Sequence, residues 1–260
     1  MANDLTSQAK GQIPTNLRLL LVIEEVVREG VPVSPGALCA SLGLPKATVH
    51  RLLITAEEEG YLQRDVDGRS YGPGYRLRKL AANTLSSQRV RTERLLIMKS
   101  LAERVGETCN LAAPGRYGMV YLDRVETHWP LRIQLPVGTQ VPFNCTASGK
   151  MYLSSLRSDR LQRFLNSTVL NGETRYSITD SDALTHELAE TRARGYSTDN
   201  QEFFEGMAAI AVPIRDDKAR LLTTLSIHAP IQRLDLAAMI GFLPELKEAA
   251  RNLEALILSE

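Results

Sequence analysis

Apolar positions in the first third of the chain recur at helical spacing, then switch to alternation. From Thr15 to Gly30, Leu17, Leu20, Leu21 and Val27 form one stripe with Glu24, Glu25 and Glu29 around it, which predicts a helix stopped by Gly30. Pro35–Ser41 predicts a short helix with Ser34 as N-cap and Gly43 as terminator. Leu44 and Pro45 then open a third helix, with Pro45 at its first position. Val49, Leu52, Leu53 and Ala56 fall on one face of it; Thr48, Arg51 and Thr55 fall on another, flanked by Lys46 and His50. After Gly60, Tyr61–Arg64 and Arg69–Tyr71 read as two strands around an Asp65–Gly68 turn. A lone amphipathic helix with a solvated polar face implies nothing. Two short helices joined at a glycine, followed by a hairpin, are the plan of a winged helix-turn-helix, which presents short polar and cationic side chains to phosphates and base edges.

Beyond this segment the pattern changes twice. Tyr75–Ser87 reads as a polar connecting helix after Gly72-Pro73-Gly74. From Arg91 on, helices are expected at Thr92–Val105, Ser148–Leu156, Arg160–Leu165 and Asp180–Gly195, with one long helix from about Leu234 to Leu258. Strands are expected at Cys109–Ala113, Met119–Val125, Leu131–Leu135, Ala208–Ile214 and Leu221–His228, the last two joined through Asp216-Asp217. Segregated helices and strands predict an α+β domain, an antiparallel sheet with helices on one side. The domains are therefore placed at residues 11–74 (winged helix-turn-helix), 75–90 (linker helix) and 91–260 (the α+β domain, to which the family resemblance given below assigns effector binding and oligomerisation).

Composition narrows the function. A chain of 260 residues that is 43% hydrophobic can bury a sizeable core. The net charge of +1 excludes a polycation, but nine basic residues face five acidic ones between Leu44 and Arg91, a local excess of four. A basic surface on a near-neutral chain suits specific, salt-sensitive DNA binding. Cys39, Cys109 and Cys145 are too dispersed for a metal site or disulfide framework and read as reduced thiols. No apolar run reaches the ~18 residues of a membrane span, and the polar first dozen residues lack a signal-peptide core, so a cytoplasmic protein is expected, without metal or cofactor.

Catalytic signatures are missing. The run Asn144–Lys150 imitates the end of a P-loop but has Asn144 in place of the first glycine and Met151 in place of the hydroxyl residue. There is no GxSxG elbow and no HExxH. Cys145 and His228 are two isolated residues rather than a nucleophile–base pair. His128 reads as a loop residue and His186 as an exposed helical one.

The chain resembles the IclR family of bacterial transcription regulators. GLPKATVHRLL (Gly43–Leu53) with GYL (Gly60–Leu62), LAERVGETCNLA (Leu101–Ala112), VYLDRVE (Val120–Glu126), the Gly138–Lys150 run ending TASGK, RGYSTDNQEFFEGMAAIAVPI (Arg194–Ile214) and LSIHAP (Leu225–Pro230) carry the resemblance in one order. It implies a winged helix-turn-helix followed by a GAF/PAS-like effector domain, a homodimer or tetramer on double-stranded operator DNA, and a small organic-acid or aromatic effector. DNA contacts are expected from Ser34, Lys46, Ala47, Thr48, His50, Arg51, Arg64 and Arg69. The resemblance places effector contacts on Thr146, Gly149, Asp199, Ala209, Ser226 and His228. Ala209 stands where a cysteine can occur and His228 where a small hydroxyl residue is common. A histidine there is expected to titrate near neutral pH and pair with a carboxylate. The runner-up is a small-molecule sensor or enzyme whose winged domain makes protein contacts.

Overall fold

Ser34, Gly30 and Gly43 set the helix boundaries of the first unit. The computed structural model describes residues 13–65, 67–85, 88–115, 117–129 and 135–258. The chain divides into two units, Met1–Leu85 and Ser86–Glu260. In the first, α1 (Arg18–Glu29) ends at Gly30 and α2 (Pro35–Leu42) ends at Gly43, both in the left-handed conformation that glycine adopts without a Cβ clash. The Ser34 hydroxyl caps α2 by accepting from the Ala37 N–H at 3.3 Å. The third helix, α3, runs Lys46–Glu58; Pro45 is its N-cap, one position earlier than the sequence suggested. Strands β1 (Leu62–Arg64) and β2 (Tyr71–Pro73) pair antiparallel with Arg64 opposite Tyr71. Val22, Val26, Leu38, Val49, Leu53, Leu62 and Tyr71 form one core. The polar helix α4 (Tyr75–Leu85) follows; residues 86 and 87 of the expected connecting helix lie outside the described residues.

The second unit opens with α5 (Gln88–Val105), β3 (Thr108–Pro114), β4 (Met119–Val125) and the short β5 (Gln140–Val141). Then come α6 (Ala147–Ser155), α7 (Ser158–Ser167), α8 (Ser181–Arg194), β6 (Ser197–Asn200), β7 (Met207–Arg215) and β8 (Leu221–Pro230). It closes with α9 (Leu236–Ile240) and α10 (Leu243–Leu258). The six strands form one antiparallel sheet in the order β5-β4-β3-β8-β7-β6.

Alternation along β7 shows how the sheet is covered. Ala208, Ile210, Val212 and Ile214 join Met98 and Leu101 of α5 and Leu246 and Leu253 of α10 in one core. Ala209 and Ala211 point the other way and pack with Ala147 and Met151 of α6. Helices therefore cover both faces, which corrects the one-sided arrangement expected from element order. The near-continuous apolar run of β7 is the signature of a strand buried on both sides.

Two further differences have local causes. The single C-terminal helix is two, because Pro244 at the second position of α10 has no N–H to give the preceding turn. β5 and β6 were not anticipated: one has two residues, and the other, Ser-Thr-Asp-Asn, has no apolar side chain at all. Of the expected Leu131–Leu135 strand, residues 131–134 lie outside the described residues.

Candidate functional site

The outer face of α3 carries the first candidate site. Lys46, Ala47, His50 and Arg51 are exposed and Thr48 is half-buried, while Val49, Leu53 and Ala56 are buried beneath. No side chain caps the helix start; the Thr48 and Val49 N–H groups turn back to the Pro45 carbonyl at 2.9 and 3.0 Å. The Lys46 and Ala47 N–H groups point out of the helix start, where an anion is favoured by the aligned peptide dipoles. The side chains of Lys46, His50 and Arg51 make no ion pair or hydrogen bond within the described residues.

The wing is built differently from the sequence reading. Arg64 is not an idle cation: its Nε donates to both Glu57 carboxylate oxygens at 3.0 and 3.1 Å. Its Nη1 reaches the Gly68 carbonyl at 3.1 Å, and the guanidinium lies over the Tyr71 ring at 5.0 Å. Glu57 holds the Arg64 proton tighter than usual. At the tip, the Asp67 carboxylate accepts from the Arg69 and Ser70 N–H groups at 2.8 Å and from the Ser70 hydroxyl at 2.7 Å, which holds it below the usual carboxylate range. Arg69 is exposed beside it. Arg76 pairs with Glu59 at 2.7 Å and lies over Tyr61. The acidic end of α3 is thus partly neutralised by arginines from the wing and α4. Ser34 has its hydroxyl engaged as the α2 cap.

The second site is a hollow between α6 and the sheet, with about 30 Å³ of enclosed space and about 440 Å³ when the open solvent at its mouth is counted. Its floor follows strand register. Asp199, Ala209 and His228 lie side by side on β6, β7 and β8; one step along, Ser197, Ala211 and Ser226 do the same. With strands about 4.8 Å apart, Asp199 and His228 are separated by about 10 Å across the row. The two alanines between them leave the hollow. The roof is the start of α6, where Thr146 accepts from the Gly149 N–H at 3.0 Å and donates to the Pro142 carbonyl at 2.7 Å. Ser148 meets Ser226 at 3.4 Å. Tyr121, Leu135, Phe203, Phe204 and Met207 supply apolar walls.

Two of the expected polar residues behave in ways sequence could not show. Burial, reinforced by Glu202, raises the Asp199 carboxyl to about 7, although the Glu202 and Phe203 N–H groups donate to it at 2.7 and 3.3 Å. Beneath it, buried Lys150 binds Glu202 at 2.5 Å and approaches Glu187 at 3.6 Å, tying α6 to the loop after β6. His228 corrects an expectation: burial, with the Arg124 guanidinium beside it, drops its pKa to about 3. Partial exposure of the residue moderates burial but not the effect of Arg124. The ring is neutral at physiological pH and does not form the protonated partner expected for a carboxylate.

Gly149 is also corrected. It is buried but does not line the cavity. A Cβ there would lie 2.3 Å from the Phe143 carbonyl oxygen, so the glycine admits the neighbouring backbone rather than a ligand. Thr146, Asp199, Ala209, Ser226 and His228 do come together around one hollow. Burial pushes the Cys145 thiol up to about 12, opposite to what a nucleophile needs. Sequence reasoning missed Asn110 and Arg124, a polar pair in largely apolar strands. Such residues in a buried strand must find partners, and that was the available signal.

Among the described residues no helix is long and apolar enough to cross a membrane. The family model described as bacterial transcriptional regulator IclR C-terminal matches residues 82–255, and the IclR helix-turn-helix domain matches residues 17–66. The probable transcriptional regulator SauR of Cupriavidus necator is 39% identical over 90% of this chain and 93% of its own. The transcriptional repressor IclR of Escherichia coli is 27% identical over 88% of this chain and 84% of its own. The crystal structure of an IclR homolog complexed with 4-hydroxybenzoate, from Microbacterium hydrocarbonoxydans, superposes with a TM-score of 0.60 at 25% identity, covering 94% of this chain and 99% of the other.

Proposed function

The chain belongs to the IclR family of bacterial transcriptional regulators, and from that premise we propose that α3 reads a palindromic operator whose affinity is set by a small organic acid bound between α6 and the sheet. In this reading Lys46, Ala47, Thr48, His50 and Arg51 enter the major groove, and Arg69 at the wing tip meets the flanking backbone. The observation that carries it is the exposed, uncapped and cationic first turn of α3, whose Lys46, His50 and Arg51 side chains find no acceptor among the described residues. Half-sites about 34 Å apart require two reading helices, so the working species is a homodimer or a tetramer. The site of action is the cytoplasm, where the operator is.

The effector reading is supported by the hollow at the α6 N-terminus, with Ser148, Ser226 and His228 on one side and Asp199 across the floor. A relative of this chain holds 4-hydroxybenzoate, and an acid is the ligand a helix N-terminus and two hydroxyls favour. Burial holds the Cys145 thiol protonated, which does not favour it as a nucleophile.

The test is fluorescence anisotropy on a fragment carrying the chain's own promoter, with competitor DNA present. Arg51→Ala should weaken operator binding by about 1–3 kcal/mol if it contacts a base. Unchanged affinity would remove α3 as the reader. Asp199→Ala and His228→Ala should abolish the response to the acid while keeping operator binding; the opposite result would remove the cavity from the regulatory role.

A further inference from the structure

We propose that Arg124 and Asn110 lock His228 as a neutral imidazole with its proton on Nε2, and that this fixed donor selects an oxyanion oxygen at the β8 end of the cavity. The inference rests on the cavity being the effector site, but the lock is a property of three side chains. Asn110 Nδ2 lies 3.0 Å from His228 Nδ1. Arg124 Nη1 donates to Asn110 Oδ1 at 2.9 Å, and Arg124 Nε donates to Glu126 at 3.0 Å. Arg124 Nη2 stands 3.5 Å from His228 Nε2.

Only one proton arrangement suits these distances. A guanidinium is a donor and never an acceptor, so the atom of Asn110 facing Nη1 at 2.9 Å is its oxygen. The amide nitrogen then faces the ring at 3.0 Å, and Nδ1 must accept. A neutral ring that accepts at Nδ1 carries its proton on Nε2. The alternative turns the amide round and sets its NH2 against the guanidinium at 2.9 Å. That exchanges a loose donor–donor approach at 3.5 Å for a tight one, so the first arrangement wins. The ion pair with Glu126 holds the guanidinium in place, and the guanidinium orients the amide.

The strands explain why these groups meet. Asn110 and Ser226 are register partners, and so are Asn110 and Arg124. Between Leu111 and Ala112 the β3–β4 register shifts, with Asp123 opposite Leu111 and Tyr121 opposite Ala112. The extra residue, Leu122, reverses the alternation, so Tyr121 and Arg124 both face the cavity side. His228 lines the cavity alongside Ser148 and Ser226. An N–H donor on that residue and the α6 N-terminus suit an oxyanion rather than an ammonium group, and the two hydroxyls can donate to it.

The lock is tested in the full chain labelled with ¹⁵N-histidine. The His228 signals are assigned by their loss in His228→Gln, and long-range ¹H–¹⁵N spectra are recorded from pH 5 to 8. The expected result is a protonated Nε2 and a bare Nδ1 throughout. A protonated Nδ1, or an imidazolium near pH 6.5, overturns the lock whatever the ligand. Asn110→Asp keeps the shape but offers the ring an acceptor, and should move the proton to Nδ1. Calorimetry with acetate, glycolate, benzoate and 4-hydroxybenzoate, each beside its amide, then reads the selection. The best-bound acid should weaken about tenfold or more in His228→Leu and Asn110→Asp, as loss of a charge-assisted hydrogen bond implies. His228→Gln, whose amide nitrogen sits near the position of Nε2, should stay within about threefold. Equal binding in all variants overturns the selection. If no acid binds the wild type, the selection falls with the effector reading, and the spectra still decide the lock.

Discussion

Asp199 and His228 face each other across one floor, yet their environments move them in opposite directions. Burial and Glu202 raise Asp199 from 3.8 to about 7, while burial and Arg124 hold His228 neutral. The consequence for stability has a definite sign. A carboxyl that binds its proton more tightly folded than unfolded stabilises the fold where both states are protonated, and that contribution fades as pH rises from about 4 to about 7. Asp199→Asn should therefore gain on the wild type across that window, by up to about 4 kcal/mol at the linkage rate of 1.36 kcal/mol per unit. Melting curves from pH 4 to 8 check it; parallel curves would show that Lys150 and Glu202, which face the carboxyl, leave it ionised. The same titration bears on ligand binding. An acid should bind more weakly above about pH 7, where Asp199 adds a negative charge, and Asp199→Asn should flatten that decline. No step near 6.5 is expected from His228, which reverses what an unperturbed histidine would suggest.

At the scale of elements, α6 and the wing are both held by groups that sequence alone misassigns. The family resemblance places an effector contact on Gly149, whereas its missing Cβ lets the Phe143 backbone lie against the helix. Gly149→Ala should cost about 1–3 kcal/mol by overpacking and lower the melting temperature even without ligand. A change confined to ligand affinity would restore it to the cavity. Arg64 reads as a free cation because Glu57 is seven residues away on another element. Lys46→Ala should lower the slope of log affinity against log salt by about one, whereas Arg64→Ala should weaken binding with a smaller change in slope, since Glu57 already compensates the charge. Equal slopes would put Arg64 on a phosphate. What could be read in advance follows the same division. The helix stops at Gly30, Gly43 and Gly195 and the strand Met119–Val125 are local features, fixed by glycine conformation and β-rich composition, and they were legible. β6 was not, because a polar four-residue strand exists only through its pairing with β7. The cavity residues matched by resemblance gather at one hollow, but the Asn110–Arg124 support is a product of register, which no single strand announces.

For the whole molecule, a ligand in the second unit can alter DNA affinity only by favouring one arrangement over another. The chain enters that unit through α5, which is fastened to β4 by a buried charge pair. Asp123 is fully buried and accepts from Arg94 Nε at 2.6 Å and Arg91 Nε at 3.1 Å; Arg94 is itself 1% exposed. On the same strand, the neighbours Tyr121 and Arg124 face the cavity and the His228 lock. A shift of β4 on ligand binding therefore reaches α5 through Asp123, and the Leu122 bulge is the point at which the two sides of the strand are set. Asp123→Asn preserves the shape and removes the charge that pairs with the buried Arg94, at a cost of about 3–5 kcal/mol. In the full chain, the transition of the second unit should move to lower temperature. Operator binding by the first unit should persist, because its core of Val22, Leu38, Val49 and Leu53 is separate. The response to the acid should shrink, and reciprocity requires that operator DNA then shift acid affinity by the same reduced factor. Anisotropy titrations with and without acid, and calorimetry with and without operator, measure both sides. A full-sized response in Asp123→Asn, with the lower melting transition confirmed, would mean that β4 and α5 take no part in carrying the signal.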